Sequence, residues 1–293
     1  MPNPQVSLLD VSRLNDAALA IQKAFNSKDP KHVEHAIEIL RASVDTSASQ
    51  DLQAVRADQV KLPEMNFIPS GLSWLDKMLG GGARRQELSI IAGVPHAGKT
   101  HLLSWLAAQF IIEQDFTVLH FNGEDILGDV VKIYSAMLND SGMSKLYFAD
   151  VTEHTFNANL IDGIIKKMKE DKNPPDIVVV DYMDLLVSSG GGEDWLAVSD
   201  TTKALRSIAK KHDLILFTAS QLNYASPSSG RGLARLYRGK VGKASHADMI
   251  FLIDDVDGST YYISVAKAKG RKMREKDFSL YADFDTMEIK PTH

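Results

Sequence analysis

Gly93-Val94-Pro95-His96-Ala97-Gly98-Lys99-Thr100 fits the pattern G-x-x-x-x-G-K-[ST]. At average composition the pattern arises by chance in roughly one chain in a hundred of this length, so its flanks must decide its meaning. Glu87-Leu88-Ser89-Ile90-Ile91-Ala92 reads as a short buried strand, and His101 to Phe110 carries apolar residues at helical spacing. Strand, glycine loop and helix form the context a phosphate-binding loop requires. Glycines let backbone N–H groups curl around an anion, and the new helix adds the positive end of its dipole. Gly93, Pro95, His96, Ala97, Gly98, Lys99, Thr100 and His101 are therefore the expected nucleotide contacts. Lys99 reaches the outer phosphates, and the Thr100 hydroxyl is placed for Mg²⁺.

Outward from the loop, strand and helix patterns alternate. Strands are expected at Phe116–Phe121, Lys145–Phe148, Asp176–Asp181 and Leu214–Thr218. Helices are expected at Asp125–Leu138, Asn157–Glu170 and Asp194–Lys211. This alternation predicts an α/β fold with a mainly parallel twisted sheet and helices on both faces. Ser70–Leu79 reads as a capped entry helix ending in Gly80-Gly81-Gly82. Past residue 245 the links shorten. Met249–Ile253, Tyr261–Ala266, Phe278–Tyr281 and Met287–Ile289 read as an antiparallel extension.

In such sheets ligands sit at the carboxyl ends of the strands. Asp181 ends the most apolar strand, where a carboxylate can hold Mg²⁺ or its water shell opposite Thr100; a turn cap is the plainer role. Asp184 reads as a cap for the segment after it. Glu124, just past the second strand, is the candidate base that orients and polarises an attacking water. Its alternative is a first-turn acid favoured by the helix dipole, a role that suits Asp125 better. Ser220-Gln221 ends the strand after Asp181's, where a neutral amide could contact the γ-phosphate of ATP.

Two basic stretches stand out. Asn223–Ala244 carries Arg231, Arg235, Arg238, Lys240 and Lys243, with no acid before Asp248. It reads as a loop that tracks a phosphate backbone, against a merely solvated loop. The glycine-rich stretch Ser188–Gly192 opens on the same side. Val265–Arg274 carries five positive charges in Lys267, Lys269, Arg271, Lys272 and Arg274. They are either a solvated strand end or cations for a phosphate on a neighbouring subunit.

The 293 residues, 44% apolar and 24% charged, allow one large domain and a small appendage. No apolar run approaches the roughly 20 residues of a membrane span, and the first residues lack the pattern of a signal peptide. Cysteine is absent, which excludes disulfides and thiolate metal sites. A cytoplasmic location is expected. The net charge of −5 excludes a generally cationic nucleic-acid binder and leaves only local patches. Residues 1–60 form a short helical N-terminal segment and linker, with stripes at Leu14, Ala17, Ala18, Ile21, Phe25 and at Val33, Ala36, Ile37, Leu40, Val44. The main domain takes 61–293. His32 and His35 are surface histidines on the second stripe.

These pieces, in this order, resemble the RecA-like P-loop ATPase core, and among its members the DnaB-type replicative DNA helicases. Ile68-Pro69-Ser70-Gly71 is similar to that family's entry helix, and Phe121-Asn122-Gly123-Glu124 to the segment with its catalytic glutamate. Val180-Asp181-Tyr182-Met183-Asp184-Leu185-Leu186 resembles its magnesium-aspartate strand, Ser220-Gln221-Leu222-Asn223 its sensor segment, and Ala266-Lys267-Ala268-Lys269 its late strand. The resemblance covers about residues 65–290. It implies ATP and Mg²⁺ at subunit interfaces of a ring, usually hexameric, with single-stranded DNA in the channel and a primase or loader as a further partner. It also implies a compact form, of the sort some bacteriophages encode, with about 60 residues in place of the family's large N-terminal domain. The family's Lys-x-Arg is Lys267-Ala268-Lys269 here, so its trans arginine finger is either replaced by Lys269 or shifted to Arg271. Arg271 is the preferred candidate, because lysine lacks the guanidinium fork. Two other readings stay open: a RecA-like recombination or repair ATPase that forms filaments on DNA, and a non-translocating loader or interaction protein with the same fold.

Overall fold

The structure, a computed structural model, describes residues 32–33, 66–152, 156–186, 194–222, 246–255, 258–283 and 285–292. The chain divides into two compact units, Met1–Glu64 and Met65–His293. Within the first, residues 32–33 are helical. The other N-terminal helix and linker expectations lie outside the described residues.

The second unit is built on one nine-stranded sheet in the order β3-β2-β4-β5-β1-β6-β7-β8-β9. Its strands are β1 (Leu88–Gly93), β2 (Val118–Asn122), β3 (Leu146–Asp150), β4 (Ile177–Asp181), β5 (Ile215–Gln221), β6 (Met249–Asp255), β7 (Thr260–Ala268), β8 (Asp277–Asp283) and β9 (Glu288–Pro291). Its helices are α1 (Ser73–Met78), α2 (Lys99–Gln114), α3 (Leu127–Met137), α4 (Asp140–Met143), α5 (Ala158–Glu170) and α6 (Asp194–His212), with a 3₁₀ turn at Met183–Leu185.

Helices cover both faces of the parallel part. Leu88, Ile90 and Ala92 of β1 pack with Ile161 and Ile165 of α5 and Leu205, Ile208 and Ala209 of α6. Ile91 points the other way and joins α1, α2 and α3. The helix behind the glycine loop, α2, is buried nearly all round, as an apolar helix enclosed by other elements must be. Trp74 of α1 stacks on its Trp105 at 5.4 Å.

Two expectations change. Strand β6 is parallel to β1, with Ser89 opposite Met249 and Gly93 opposite Ile253; the antiparallel extension begins only at β7. The reason is burial. Both faces of β6 are covered, so its run is continuously apolar, as parallel strands are. By contrast β7 and β8 alternate, with Tyr261, Ile263, Phe278 and Leu280 inside and Tyr262 and Tyr281 outside. The entry helix is shorter than read, and Ser70 does not cap it. The Ser70 hydroxyl instead donates to Asp76 at 2.8 Å, and Leu72 is the N-cap residue. Its C-terminus is as expected. Gly80 at φ 67° donates its N–H to Lys77 O, and Gly81 to Asp76 O, the paired closure of a Schellman motif.

Candidate active site

Because β1, β2, β4 and β5 are parallel, their carboxyl ends open on one edge of the sheet. Ladder pairs set Asn122 beside Asp181 and Gly93 beside Gln221. Gly93, Glu124, Asp181 and Gln221, taken from four separate stretches of sequence, therefore meet at this edge.

The glycine loop curls as its sequence demands. His96 and Gly98 both adopt left-handed φ, 63° and 76°. A side chain at 98 is excluded twice, by that φ and by the Tyr261 hydroxyl, into which an added Cβ would run. The Lys99 ammonium donates to Val94 O at 2.9 Å and so lies in the mouth of the loop. Burial pulls its pKa below the usual lysine value, and Glu124, Asp181, Asp184 and Asp125 work against that shift. Thr100 follows, its hydroxyl bonded to the Asp181 carboxylate. The His101 ring lies beneath the loop, 3.1 Å from the Tyr261 hydroxyl. Of the expected contacts, His101 can therefore offer the phosphates its main chain but not its ring. Tyr261 is a residue that sequence reasoning misses. Its strand alternation marks it as core, and nothing local links it to position 98.

Asp181 is only 3% exposed. Burial pushes its carboxyl up to about 6. The Thr100 hydrogen bond opposes the rise, the Asp125 and Glu124 charges add to it, and Lys99 opposes it again. Glu124 is exposed at the end of a braced segment. Gly123 N–H donates to Asp181 O at 2.9 Å, and Asn122 Nδ2 to Asp125 O at 2.8 Å. Gly123 is required for this close approach, since a Cβ there would meet Leu185 at 2.6 Å. Asp184 does not cap the following segment as expected. Its carboxylate crosses to β5 and accepts from Gln221 N at 2.7 Å and Ser220 Oγ at 3.3 Å.

Magnesium fits the donor set. Asp181 and Thr100 offer hard oxygens, and beside them Asn122 Oδ1 is buried without a hydrogen-bond partner among the described residues. No group of three acidic or histidine ligands exists among the described residues. None is needed, because Mg²⁺ commonly takes one or two protein oxygens, phosphates and water.

The cations of Val265–Arg274 lie elsewhere. Through β6, Ala268 is level with Ser89, at the start of β1. Four residues of strand, about 13 Å, separate that level from Gly93, so these cations flank the amino edge, away from their own subunit's glycine loop. Arg271, the preferred trans cation, is corrected by its surroundings. Its side chain is 1% exposed, bonded to Glu87, to Leu79 O and to Gly82 O, and stacked over Phe67. A guanidinium so engaged is a strut of its own subunit, not a finger. Lys269 is exposed, its N–H held by Asp248 O at 2.8 Å. Asp248 is fixed in turn by a two-pronged Arg206 contact at 2.9 and 2.7 Å. Arg231, Arg235, Arg238, Lys240 and Lys243, and the stretch Ser188–Gly192, lie outside the described residues.

The sequence profile of the AAA domain family AAA_25 matches residues 55–225, more than half of the 293 residues. The chain belongs to this family. It is 29% identical over 198 residues to the DNA repair protein RadA of Rickettsia felis, covering 67% of this chain and 38% of that protein. It is 24% identical over 257 residues to the replicative DNA helicase DnaB of Treponema pallidum, covering 76% of this chain and 56% of that protein. The chain thus matches about two-fifths of the length of the RadA protein and just over half of DnaB. Among solved structures, an ATPase domain determined on its own superposes with a TM-score of 0.65 at 17% identity, covering 87% of this chain and 98% of that one. A DnaB-like replicative helicase, described with its interactions with primase, gives 0.62 at 17%, covering 94% and 75%. The fold is that of a DnaB-type, RecA-like ATPase. No described helix is long and apolar enough to cross a membrane.

Proposed function

We propose that this AAA-family protein is an ATP-driven DNA helicase that assembles as a ring, hexameric by its resemblance, and translocates on single-stranded DNA during replication in a bacterial cytoplasm or a phage-infected host. One observation carries the reading: the crowded acids and the exposed Lys269 occupy opposite edges of the sheet. At the carboxyl edge Lys99 covers one side of the γ-phosphate position. Negative charge develops on the far side as the bond breaks, and a cation supplied there in trans is worth on the order of 10³–10⁵ in rate. Lys269 of a second copy is the candidate, because its own subunit's site is a strand length away. Such a head-to-tail contact builds a ring if it closes and a filament if it does not.

Glu124 orients and deprotonates the attacking water, Lys99 binds the outer phosphates, and Gln221 meets the γ-phosphate. Thr100 and Asp181 hold Mg²⁺, which neutralises phosphate charge when bound. Arg231, Arg235, Arg238, Lys240 and Lys243 contact DNA phosphates. A primase or a loader is the further partner, an idea supported by the primase interactions described for the DnaB-like neighbour. A second reading, a RecA-like repair ATPase that forms filaments, is favoured by the higher identity to RadA. ATPase rates with and without single-stranded DNA, with particle imaging, separate them. Closed rings with DNA-stimulated hydrolysis support the helicase; filaments support the repair ATPase; hydrolysis indifferent to DNA supports a non-translocating loader.

A further inference from the structure

The role of Asp184 is not explained by binding nucleotide, cation or water, and its surroundings give it another. The last ladder pair of β4 and β5 joins Val180 to Thr218, and the Thr218 hydroxyl reinforces it by donating to Val180 O at 2.7 Å. Beyond that pair β4 stops and β5 runs on. Ala219, Ser220 and Gln221 remain paired to β1 on one side, opposite Ile91, Ala92 and Gly93, and Leu222 N donates to Gly93 O at 2.9 Å. On the other side the strand would be bare, and Asp184 fills the gap. Its two oxygens take the Ser220 hydroxyl and the Gln221 N–H, as the carbonyl of a neighbouring strand would. Gln221 is therefore held between the first glycine of the phosphate loop and the 3₁₀ turn just past Asp181.

An ionised acceptor makes this hydrogen bond stronger than a neutral one. It is also a charge within electrostatic reach of Lys99. A change of charge at the glycine loop alters the pull on Asp184, and a movement of Gln221 along its strand drags the 3₁₀ turn through the same carboxylate. We infer that Asp184 is a positioning residue that locks the Gln221 main chain to the Asp181 turn, so that both respond to nucleotide as one unit. The inference rests on the nucleotide-site reading above.

The test uses the full chain with Asp184→Ala, Asp184→Asn and Ser220→Ala. It reads nucleotide affinity with a fluorescent ATP analogue, steady-state hydrolysis, and hydrogen exchange over residues 181–186 and 214–222. In the wild type a non-hydrolysable ATP analogue should slow exchange in both peptides together. In Asp184→Ala, affinity should stay within about threefold while kcat falls at least tenfold, and the peptides should no longer respond together. Asp184→Asn keeps an acceptor for the Gln221 N–H and should recover most of kcat, which a purely structural loss would not do. Ser220→Ala removes the weaker half of the clamp and should give an intermediate effect, whether or not Asp184→Ala folds. Wild-type affinity with concerted exchange in Asp184→Ala would overturn the inference and leave the nucleotide site standing. Failure of the wild type to bind the analogue would overturn both.

Discussion

Two clusters of charge mark the two edges of this sheet, and they are built on opposite principles. At the amino edge charges are answered by partners. Arg271 meets Glu87 and two carbonyls, Arg84 shares Glu87 at 2.9 Å, and Arg206 grips Asp248 with both prongs, while Lys269 stays exposed beside them. At the carboxyl edge Glu124, Asp125, Asp181 and Asp184 crowd one lysine, and the buried member, Asp181, is pushed up to about 6. Closed networks fix geometry, while surplus like charge in a desolvated place costs stability and marks a site that waits for cations. Sequence composition hides this contrast, since both edges are rich in charged residues.

The contrast can be broken most sharply by exchanging function for charge at Glu124. Glu124→Gln should retain nucleotide binding and lose about 10²–10⁴ in hydrolysis, the usual worth of a general base, with no change in thermal midpoint. If Asp125→Asn shows that loss instead, the wrong acid has been chosen. At the other edge Arg271→Ala should destabilise the fold by about 3–5 kcal/mol, because Glu87 is left buried without its guanidinium. Denaturant titration checks this. A loss under about 1 kcal/mol, the ceiling for an exposed ion pair, would return Arg271 to the solvated cations.

Asp181→Asn should do the reverse, abolishing hydrolysis while stabilising the nucleotide-free protein. A carboxyl raised from 3.8 to about 6 on folding holds its proton more tightly when folded. Its contribution is complete below about pH 4 and is lost as pH rises through about 6. The amide escapes that loss, so the variant should gain on the order of 1–3 kcal/mol above about pH 7 and nothing below about pH 4. His120 is fully buried, and burial lowers its pKa to about 3, so it acts in the opposite sense over the same range. The measurement is therefore the variant-minus-wild-type difference, in which the His120 contribution cancels.

Much of the carboxyl edge is legible in the sequence because its information is local. A glycine loop between an apolar strand and a helix, and an acid closing Ile177–Val180, each declare themselves within a short window. The amino edge is not, because Arg271 finds Leu79, Gly82 and Glu87 at separations of 184 to 192 residues, and in sequence it is one cation in a run. Asp184 escapes a sequence reading for the same reason, its partners lying 36 and 37 residues on. The direction of β6 is readable in principle. Met249–Ile253 is apolar without alternation, the mark of a strand covered on both faces, and its short link to β7 obscures that.

The smallest expected effect on stability is the most informative about assembly. Lys269→Ala removes an exposed side chain and should shift stability by no more than about 0.5 kcal/mol, yet leave hydrolysis strongly impaired. Mixing Lys269→Ala protein with Glu124→Gln protein, each inactive alone, is the most direct test that one copy's carboxyl edge is completed by another's amino edge. Some interfaces in a mixed assembly pair an intact Glu124 with an intact Lys269, and activity should return in proportion to them. No recovery, in assemblies demonstrated to contain both proteins, would contradict the shared site.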